Sequence, residues 1–271
     1  MRVFAALLGI ALSASTASLA AQPDWKIRTI QLGDTVDEVR AKIDALNRTL
    51  PPGMDEGFKV VEWPMQLPDG QNVLAGVVAV REVMSNVREV IQVRFDPWSQ
   101  QSYSVGRIAI FKSAAVVDTT SEHYQIQGTV EDLTRTWGGH FVGLTKADGS
   151  GVRSWFYDGN KGEPLLKSTV ESEKLVQRCR PSAKAPVVPP SLHELKEWPF
   201  SEPRTVDPTC GRLVSVNIDG ISSNPGFIRL MTVQLVDFVA MSEFGGKVRK
   251  LQDKVNDQYR KEVQSAPIPP Q

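Results

Sequence analysis

The chain has 271 residues, of which 41% are hydrophobic and 23% charged, and its 31 basic and 31 acidic residues leave a formal net charge of zero. This is ordinary globular composition, with enough apolar side chains for one large core or two small ones. Because a neutral chain has no large electrostatic attraction to a polyanion, we expect no binding of nucleic acid, and because no later segment has the apolar length to span a bilayer, we expect no direct membrane insertion.

The first 20 residues are typical of a secretory signal peptide. Met1 and Arg2 give a positive start, residues 3–12 form an apolar run, and small residues precede a cleavage position that we predict after Ala20. The run is shorter than the roughly 20 residues that span a bilayer. No cysteine near Ala20 could accept a lipid. We therefore expect a soluble mature protein, periplasmic or secreted.

Two segments of the chain match each other: residues 31–43 read QLGDTVDEVRAKI, and residues 125–137 read QIQGTVEDLTRTW. Each contains a glycine followed by a Thr-Val-acid-acid stretch, which is typical of a helix start. The identical positions include Gln31/Gln125, Thr35/Thr129 and Val36/Val130. The match predicts a protein built by duplication of one small module.

Each matching segment is predicted to begin a one-sided helix. Thr35 and Glu38 fit a capping box, in which both side chains accept hydrogen bonds from free backbone amides, and Thr129 with Asp132 is a shorter-armed version. Apolar residues then recur at helical spacing, namely Val36, Val39, Ile43 and Leu46 in the first copy and Val130, Leu133 and Trp137 in the second. Each helix must therefore pack its apolar side on another element.

Stretches of β-forming residues follow each helix and predict an antiparallel sheet. They are residues 73–80, 89–96 and 105–111 in the first copy, and 140–146, 152–158, 213–219 and 227–235 in the second. We therefore predict an α+β fold of two tandem modules, each with helices packed on an antiparallel sheet, plus a C-terminal helix. The predicted bounds are 21–115 for module one, 116–241 for module two, and 242–271 for the C-terminal helix and tail.

The C-terminal segment reads as a glycine break, a charged helix and a proline-rich tail. Val248, Leu251, Val255 and Tyr259 lie on one side of that helix. This side can pack on the protein's own surface, bind a partner or pair two copies of the chain. The sequence leaves the oligomeric state open.

Cys179 and Cys210 are the two cysteines of the chain. In an oxidising compartment an isolated pair predicts a disulfide, and the redox alternative lacks the C-x-x-C spacing. The proline-rich segment 179–210 that they bracket suits neither a helix nor a central strand, so we interpret it as an insertion in module two. Closing a loop of this size stabilises the fold by roughly 3 to 4 kcal/mol.

The helix start from Ile30 to Val39, together with Val93, Phe95 and Asp96, resembles the small periplasmic modules of the SmpA/OmlA family. The second copy matches over Tyr124 to Leu133 and at Val216, Ile218 and Asp219. That family belongs to the BamE-like lipoproteins of outer-membrane barrel assembly and shares its shape with β-lactamase inhibitory protein. The resemblance implies a tandem pair of binding modules that scaffold or inhibit an envelope protein without a cofactor.

The sequence contains no recognisable catalytic or metal-binding pattern. His123, His140 and His193 lack the spacing of a metal site, and no G-x-S-x-G motif is present. Asp96 and Asp219 each follow an apolar stretch, where aspartate commonly accepts a hydrogen bond from the next turn. We therefore assign no catalytic, cofactor or metal residue. The alternative is an envelope hydrolase with a site near the proline-rich insertion.

Recognition surfaces are the stronger interpretation. The loop from Pro97 to Tyr103 carries Trp98 and Tyr103, and tryptophan and tyrosine are enriched in binding hot spots. Trp155 and Tyr157 alternate along a predicted strand and would form an aromatic platform if they face solvent. We expect these four aromatic residues to contact a periplasmic or outer-membrane protein.

Overall fold

The computed structural model describes residues 25–49, 57–83, 87–111, 125–139, 141–158, 163–165, 179, 207–221 and 224–265. The predicted signal peptide, the histidines at 123, 140 and 193, and most of the proline-rich insertion lie outside the described residues. None of the helices in the described ranges has the length and hydropathy needed to cross a membrane.

The described chain contains nine strands and three helices. The strands are β1 (Lys26–Ile27), β2 (Ile30–Gln31), β3 (Lys59–Gln66), β4 (Asn72–Val83), β5 (Val87–Phe95), β6 (Ser102–Phe111), β7 (Gly151–Tyr157), β8 (Arg212–Ile221) and β9 (Asn224–Asp237). The helices are α1 (Val36–Arg48), α2 (Ile126–Trp137) and α3 (Phe238–Ser265), and a short 3-10 turn spans Pro208–Cys210.

Seven strands form one sheet in the order β3-β4-β5-β6-β9-β8-β7, and every neighbouring pair is antiparallel. The two halves of the chain meet where β6 pairs with β9, from Ser104 opposite Val236 to Ile110 opposite Leu230. The prediction of two tandem modules is therefore wrong, although the α+β class is correct. The sequence left open whether the two copies share a sheet, and the backbone hydrogen bonds between β6 and β9 join them into one.

Both α1 and α2 pack on the same face of this sheet and share one core. The helices contribute Val36, Val39, Ile43, Ile126 and Trp137, while the strands contribute Ile91, Val93, Phe95, Val105, Trp155, Val214, Val216 and Leu235. The strand residues alternate with side chains on the opposite face, as pleated backbone requires. One continuous core in place of two small ones explains why the sheet is undivided.

The two helix starts differ in how they are capped. At α1 the predicted capping box is confirmed, because Thr35 and Glu38 each accept a hydrogen bond from the other's backbone amide. At α2 the predicted cap is wrong: the helix begins earlier, at Ile126, and Thr129 lies inside it with its hydroxyl donating to the Gln125 carbonyl. Burial of Ile126 in the core extends this helix toward its N-terminus.

Most predicted strands are confirmed, with two exceptions. Strand β3 was not predicted, because Pro64 interrupts its run of β-forming residues. Proline is tolerated there because β3 is an edge strand, and the register with β4 shifts between Trp63 and Pro64. Residues 141–145 form only isolated bridges to β7, between Val142 and Ser154 and between Thr145 and Gly151.

The predicted disulfide between Cys179 and Cys210 is confirmed. Both cysteines are buried against Phe156, Leu213 and Phe238, on the face of the sheet away from α1 and α2. The C-terminal helix begins at Phe238, directly after β9, and runs without a break through the glycines at 245 and 246. The predicted glycine break is therefore wrong, because Phe238 and Phe244 anchor these turns in the core.

Candidate functional site

The turn between β5 and β6 carries an exposed aromatic side chain. Trp98 is 44% exposed, whereas the strands on either side end in buried Phe95 and begin in buried Ser102. A large apolar ring that remains exposed at a hairpin tip is typical of a contact site when its backbone is held in place.

Asp96 holds the backbone of this turn. Its carboxylate Oδ1 accepts a hydrogen bond of 2.9 Å from the Trp98 amide, and its carbonyl accepts one of 2.7 Å from the Gln100 amide. Gln100 has a φ of 56°, a left-handed conformation that a non-glycine residue rarely adopts. The turn role predicted for Asp96 is confirmed. The same role is not seen for Asp219, which lies within β8 and pairs with Arg229.

Helix α3 supports the Trp98 side chain from below. Lys247 Nζ donates to Asp96 Oδ2 at 2.7 Å and lies 5.7 Å from the centre of the Trp98 ring. Phe244 is buried, with its ring centre 5.8 Å from that of Trp98 and 5.7 Å from that of Tyr103. Trp98 is therefore fixed by a helix whose residues lie about 150 positions later in the chain, a contact that no sequence pattern indicated.

Tyr103 supports this arrangement and does not lie on the surface. It is only 4% exposed, and burial raises the pKa of its hydroxyl, with a smaller opposing effect from Arg94. The prediction that Tyr103 faces a partner does not hold in the described structure. Its position in the register shift between β5 and β6 turns the ring toward Phe244.

Trp155 and Tyr157 also lie in the core, so they form no exposed platform. The Trp155 indole nitrogen donates to the Gly138 carbonyl at 2.9 Å, and the Tyr157 hydroxyl donates to the Trp137 carbonyl at 2.6 Å. Burial raises the pKa of Tyr157 to about 12. Phe156, which points to the opposite face, is buried as well. Both faces of β7 are therefore covered. Alternation of side chains along a strand does not show whether one face or both faces are buried.

A cleft of about 390 Å³ adjoins the turn. It is lined by Pro97 and Gln100 beside Trp98, by Val36, Asp37 and Arg40 at the start of α1, and by Gln71, Val73 and Leu74 near the β3–β4 turn. Arg40 forms ion pairs with Asp37 and with Glu62 of β3. The cleft thus combines apolar with polar and charged side chains, as expected of a surface that receives a side chain or a short peptide.

The face of the sheet opposite α1 and α2 carries a row of polar residues that the sequence analysis did not identify. Gln92, Gln234, Ser215 and Ser154 lie in one row of register partners across the sheet, with Gly106 between the two glutamines. All five are half-buried. The hydroxyls of Ser154 and Ser215 lie 3.1 Å apart.

The described residues contain no group of three or more His, Cys, Asp or Glu side chains that could hold a metal ion. Their arrangement around Trp98 offers aromatic, apolar and ion-paired contacts, which suit recognition. Compared with protein-family models, with curated proteins and with solved structures, the chain finds no match. The resemblance to SmpA/OmlA modules therefore stays a prediction.

Proposed function

We propose that this protein binds another protein of the bacterial envelope through a surface centred on Trp98. We define the Trp98 surface as Trp98 with the cleft residues Pro97, Gln100, Arg40 and Gln71. The observation that carries the proposal is that the Trp98 ring is 44% exposed while Asp96, Lys247 and Phe244 hold it in one place.

Rigid display of an aromatic ring favours binding for a thermodynamic reason. A side chain that is already ordered loses little conformational entropy in a complex, so more of the contact energy contributes to affinity. Tryptophan is among the residues most enriched in hot spots. A ring that only needed to cover the core would have been more fully buried, as Trp155 is at 1% exposure.

The neighbouring cleft adds polar groups to the Trp98 surface, and these groups can select among ligands. Arg40 is 43% exposed, and its partners Asp37 and Glu62 are exposed as well, so a ligand carboxylate can compete for its guanidinium while the displaced carboxylates stay in water. The predicted signal peptide leads us to propose a partner in the periplasm or the outer membrane. Binding there would act by scaffolding or by inhibition.

Site-specific photocrosslinking in cells tests this proposal. A photoreactive amino acid replaces Gln100, on the Trp98 surface, in the full chain, and replaces Leu144, which is 86% exposed in a different part of the fold, as a matched control. We expect one dominant envelope protein to crosslink at position 100 and not at 144. Equal capture at both positions, or none at 100, would contradict the proposal and direct attention to a hydrolase.

A further inference from the structure

A group of charged side chains surrounds the start of β5, at the opposite end of this strand from Trp98. Its centre is Glu89, whose side chain lies on the same face as α1 and α2 and is only 2% exposed. Three arginines from separate parts of the chain converge on it: Arg28 in the β1–β2 turn, Arg81 in β4 and Arg107 in β6. We call these four residues the arginine cluster.

Glu89 accepts hydrogen bonds from all three guanidinium groups. Its Oε1 accepts from Arg28 Nε at 3.1 Å and from Arg107 Nε at 2.5 Å. Its Oε2 accepts from Arg28 Nη2 at 3.1 Å and from Arg81 Nε and Nη2 at 2.9 and 2.7 Å. Arg28 and Arg107 thus meet at one oxygen, which brings two positive charges close together.

The charges of the arginine cluster do not balance. Within the part of the chain that the structure describes, Glu89 is the carboxylate that pairs with these three arginines, so three positive charges face one negative charge. A guanidinium group has five N–H donors. Within the described residues Arg107 bonds Glu89 through Nε alone, which leaves both of its Nη groups for an incoming acceptor.

The cluster is held in position before any ligand arrives. Arg81 has its guanidinium carbon 4.9 Å from the centre of the Phe58 ring, and its side chain is 11% exposed. Arg28 has a φ of 59°, a left-handed conformation that costs a non-glycine residue free energy and that its two bonds to Glu89 help to maintain. Ordered donors of one sign favour binding of an anion because little reorganisation is needed.

The cluster is also reachable from solvent. The side chains of Arg28 and Arg107 are 39% and 22% exposed, while Glu89 lies beneath them. An anion can therefore approach the outer edges of these two arginines without displacing Glu89. The neutral charge of the whole chain conceals this local excess of positive charge.

We propose that Arg28 and Arg107 bind a phosphate group, that Arg81 adds its positive charge from beneath them, and that Glu89 is a positioning residue that holds the three guanidinium groups together. A phosphate carries close to two negative charges at neutral pH and three acceptor oxygens, which matches the excess of two positive charges. A carboxylate would neutralise only half of that excess. The phosphate belongs either to a small soluble molecule or to the headgroup of an anionic lipid.

Isothermal titration of inorganic phosphate into the mature protein at low ionic strength tests the site. We expect binding at one site for the native protein, and Arg107→Gln and Arg28→Gln should each weaken it by about tenfold, the effect of losing one charge-assisted contact. The matched control is Arg229→Gln, since Arg229 is 61% exposed and pairs with Asp219 away from the cluster. Arg28→Gln is included because Arg28 is more exposed than Arg107, so its substitution disturbs the fold less. Thermal unfolding of each variant shows whether the fold is intact.

Vesicles of phosphatidylcholine with and without phosphatidic acid distinguish the two sources. If the protein sediments with the vesicles that contain phosphatidic acid, and Arg28→Gln weakens this binding by about tenfold, the ligand is a lipid headgroup. If the protein binds inorganic phosphate in the titration but does not sediment with either kind of vesicle, the ligand is a soluble phosphate. The proposal is overturned if native protein binds neither probe. It is also overturned if Arg229→Gln weakens binding as much as the cluster variants do.

Discussion

Lys247 and Asp96 lie 151 positions apart in the chain, and the lysine Nζ donates to the aspartate Oδ2 at 2.7 Å. Because the other oxygen of that carboxylate accepts the Trp98 amide, this ion pair links the C-terminal helix directly to the turn that displays the exposed ring. The stability of α3 on the sheet therefore controls how firmly Trp98 is held.

Removal of this lysine should loosen the turn. In Lys247→Ala, we expect faster hydrogen exchange of the Trp98 and Gln100 amides and an affinity for the crosslinked partner that falls by about 1 kcal/mol, since the carboxylate loses a charged partner. The control is Lys254→Ala, at an exposed position further along α3. Equal exchange rates in both variants would show that Lys247 does not hold the turn.

Trp98 should matter for binding and little for folding. In Trp98→Ala the free energy of unfolding should fall by the small amount that the Phe244 contact contributes. Because the rest of the ring is exposed, any further loss should be less than about 0.5 kcal/mol. The same substitution should weaken the partner complex by more than about 1 kcal/mol, as at other aromatic hot spots. Chemical denaturation and titration of the identified partner measure the two effects. A large loss of stability with unchanged affinity would assign Trp98 to the core.

Glu89 should make the fold sensitive to acid. Burial alone raises its pKa, but the charges of Arg107 and Arg28 outweigh burial and lower the pKa to about 2 from an ordinary value of 4.5. A carboxyl with a lowered folded pKa contributes stability that is present above its unfolded pKa and is lost as the pH falls toward the folded value. We therefore expect this contribution to disappear between about pH 4.5 and pH 2.

Urea unfolding at several pH values measures that contribution. Glu89→Gln should reduce the slope of stability against pH in this window and should destabilise the protein at pH 7 by about 3 kcal/mol, because three arginines then lack their carboxylate. Glu243→Gln, at an exposed position of α3, serves as the control. An unchanged pH dependence in Glu89→Gln would mean that the arginines do not lower the pKa of this group.

The disulfide should contribute to stability independently of the arginine cluster. Replacing Cys179 and Cys210 by alanine should lower the free energy of unfolding by about 3 kcal/mol, through a less constrained unfolded chain. Phosphate binding should be unchanged, since both cysteines lie on the opposite face of the sheet. Thermal unfolding with and without a reductant measures the first effect. A reductant that leaves the midpoint unchanged would contradict the prediction.

Local patterns predicted several elements correctly. The capping box at Thr35 and Glu38 marked the start of α1, because cap and helix interact within a few residues. The cores of β4, β5, β6, β8 and β9 followed from clustered β-forming residues between turns. The turn role of Asp96 followed from its place after a strand, whereas the sequence left open whether Trp98 faces solvent or packs back on the sheet. Each of these features depends on neighbours in the sequence.

Features that depend on distant residues were missed. The separations from Glu89 to Arg81, Arg107 and Arg28 are 8, 18 and 61 residues, so the arginine cluster has no linear motif. Trp155 and Tyr157 were expected at a surface because alternation cannot tell whether a strand is covered on one face or on both.

The sequence by itself determined the α+β class, the first helix, most strands and the cysteine pair, since propensity, periodicity and capping act over short distances. Only the tertiary structure decided that β6 pairs with β9 to make one sheet, because hydrogen-bond partners across a sheet are chosen by register and core packing. The same long-range packing placed α3 beneath Trp98 and brought three arginines to Glu89.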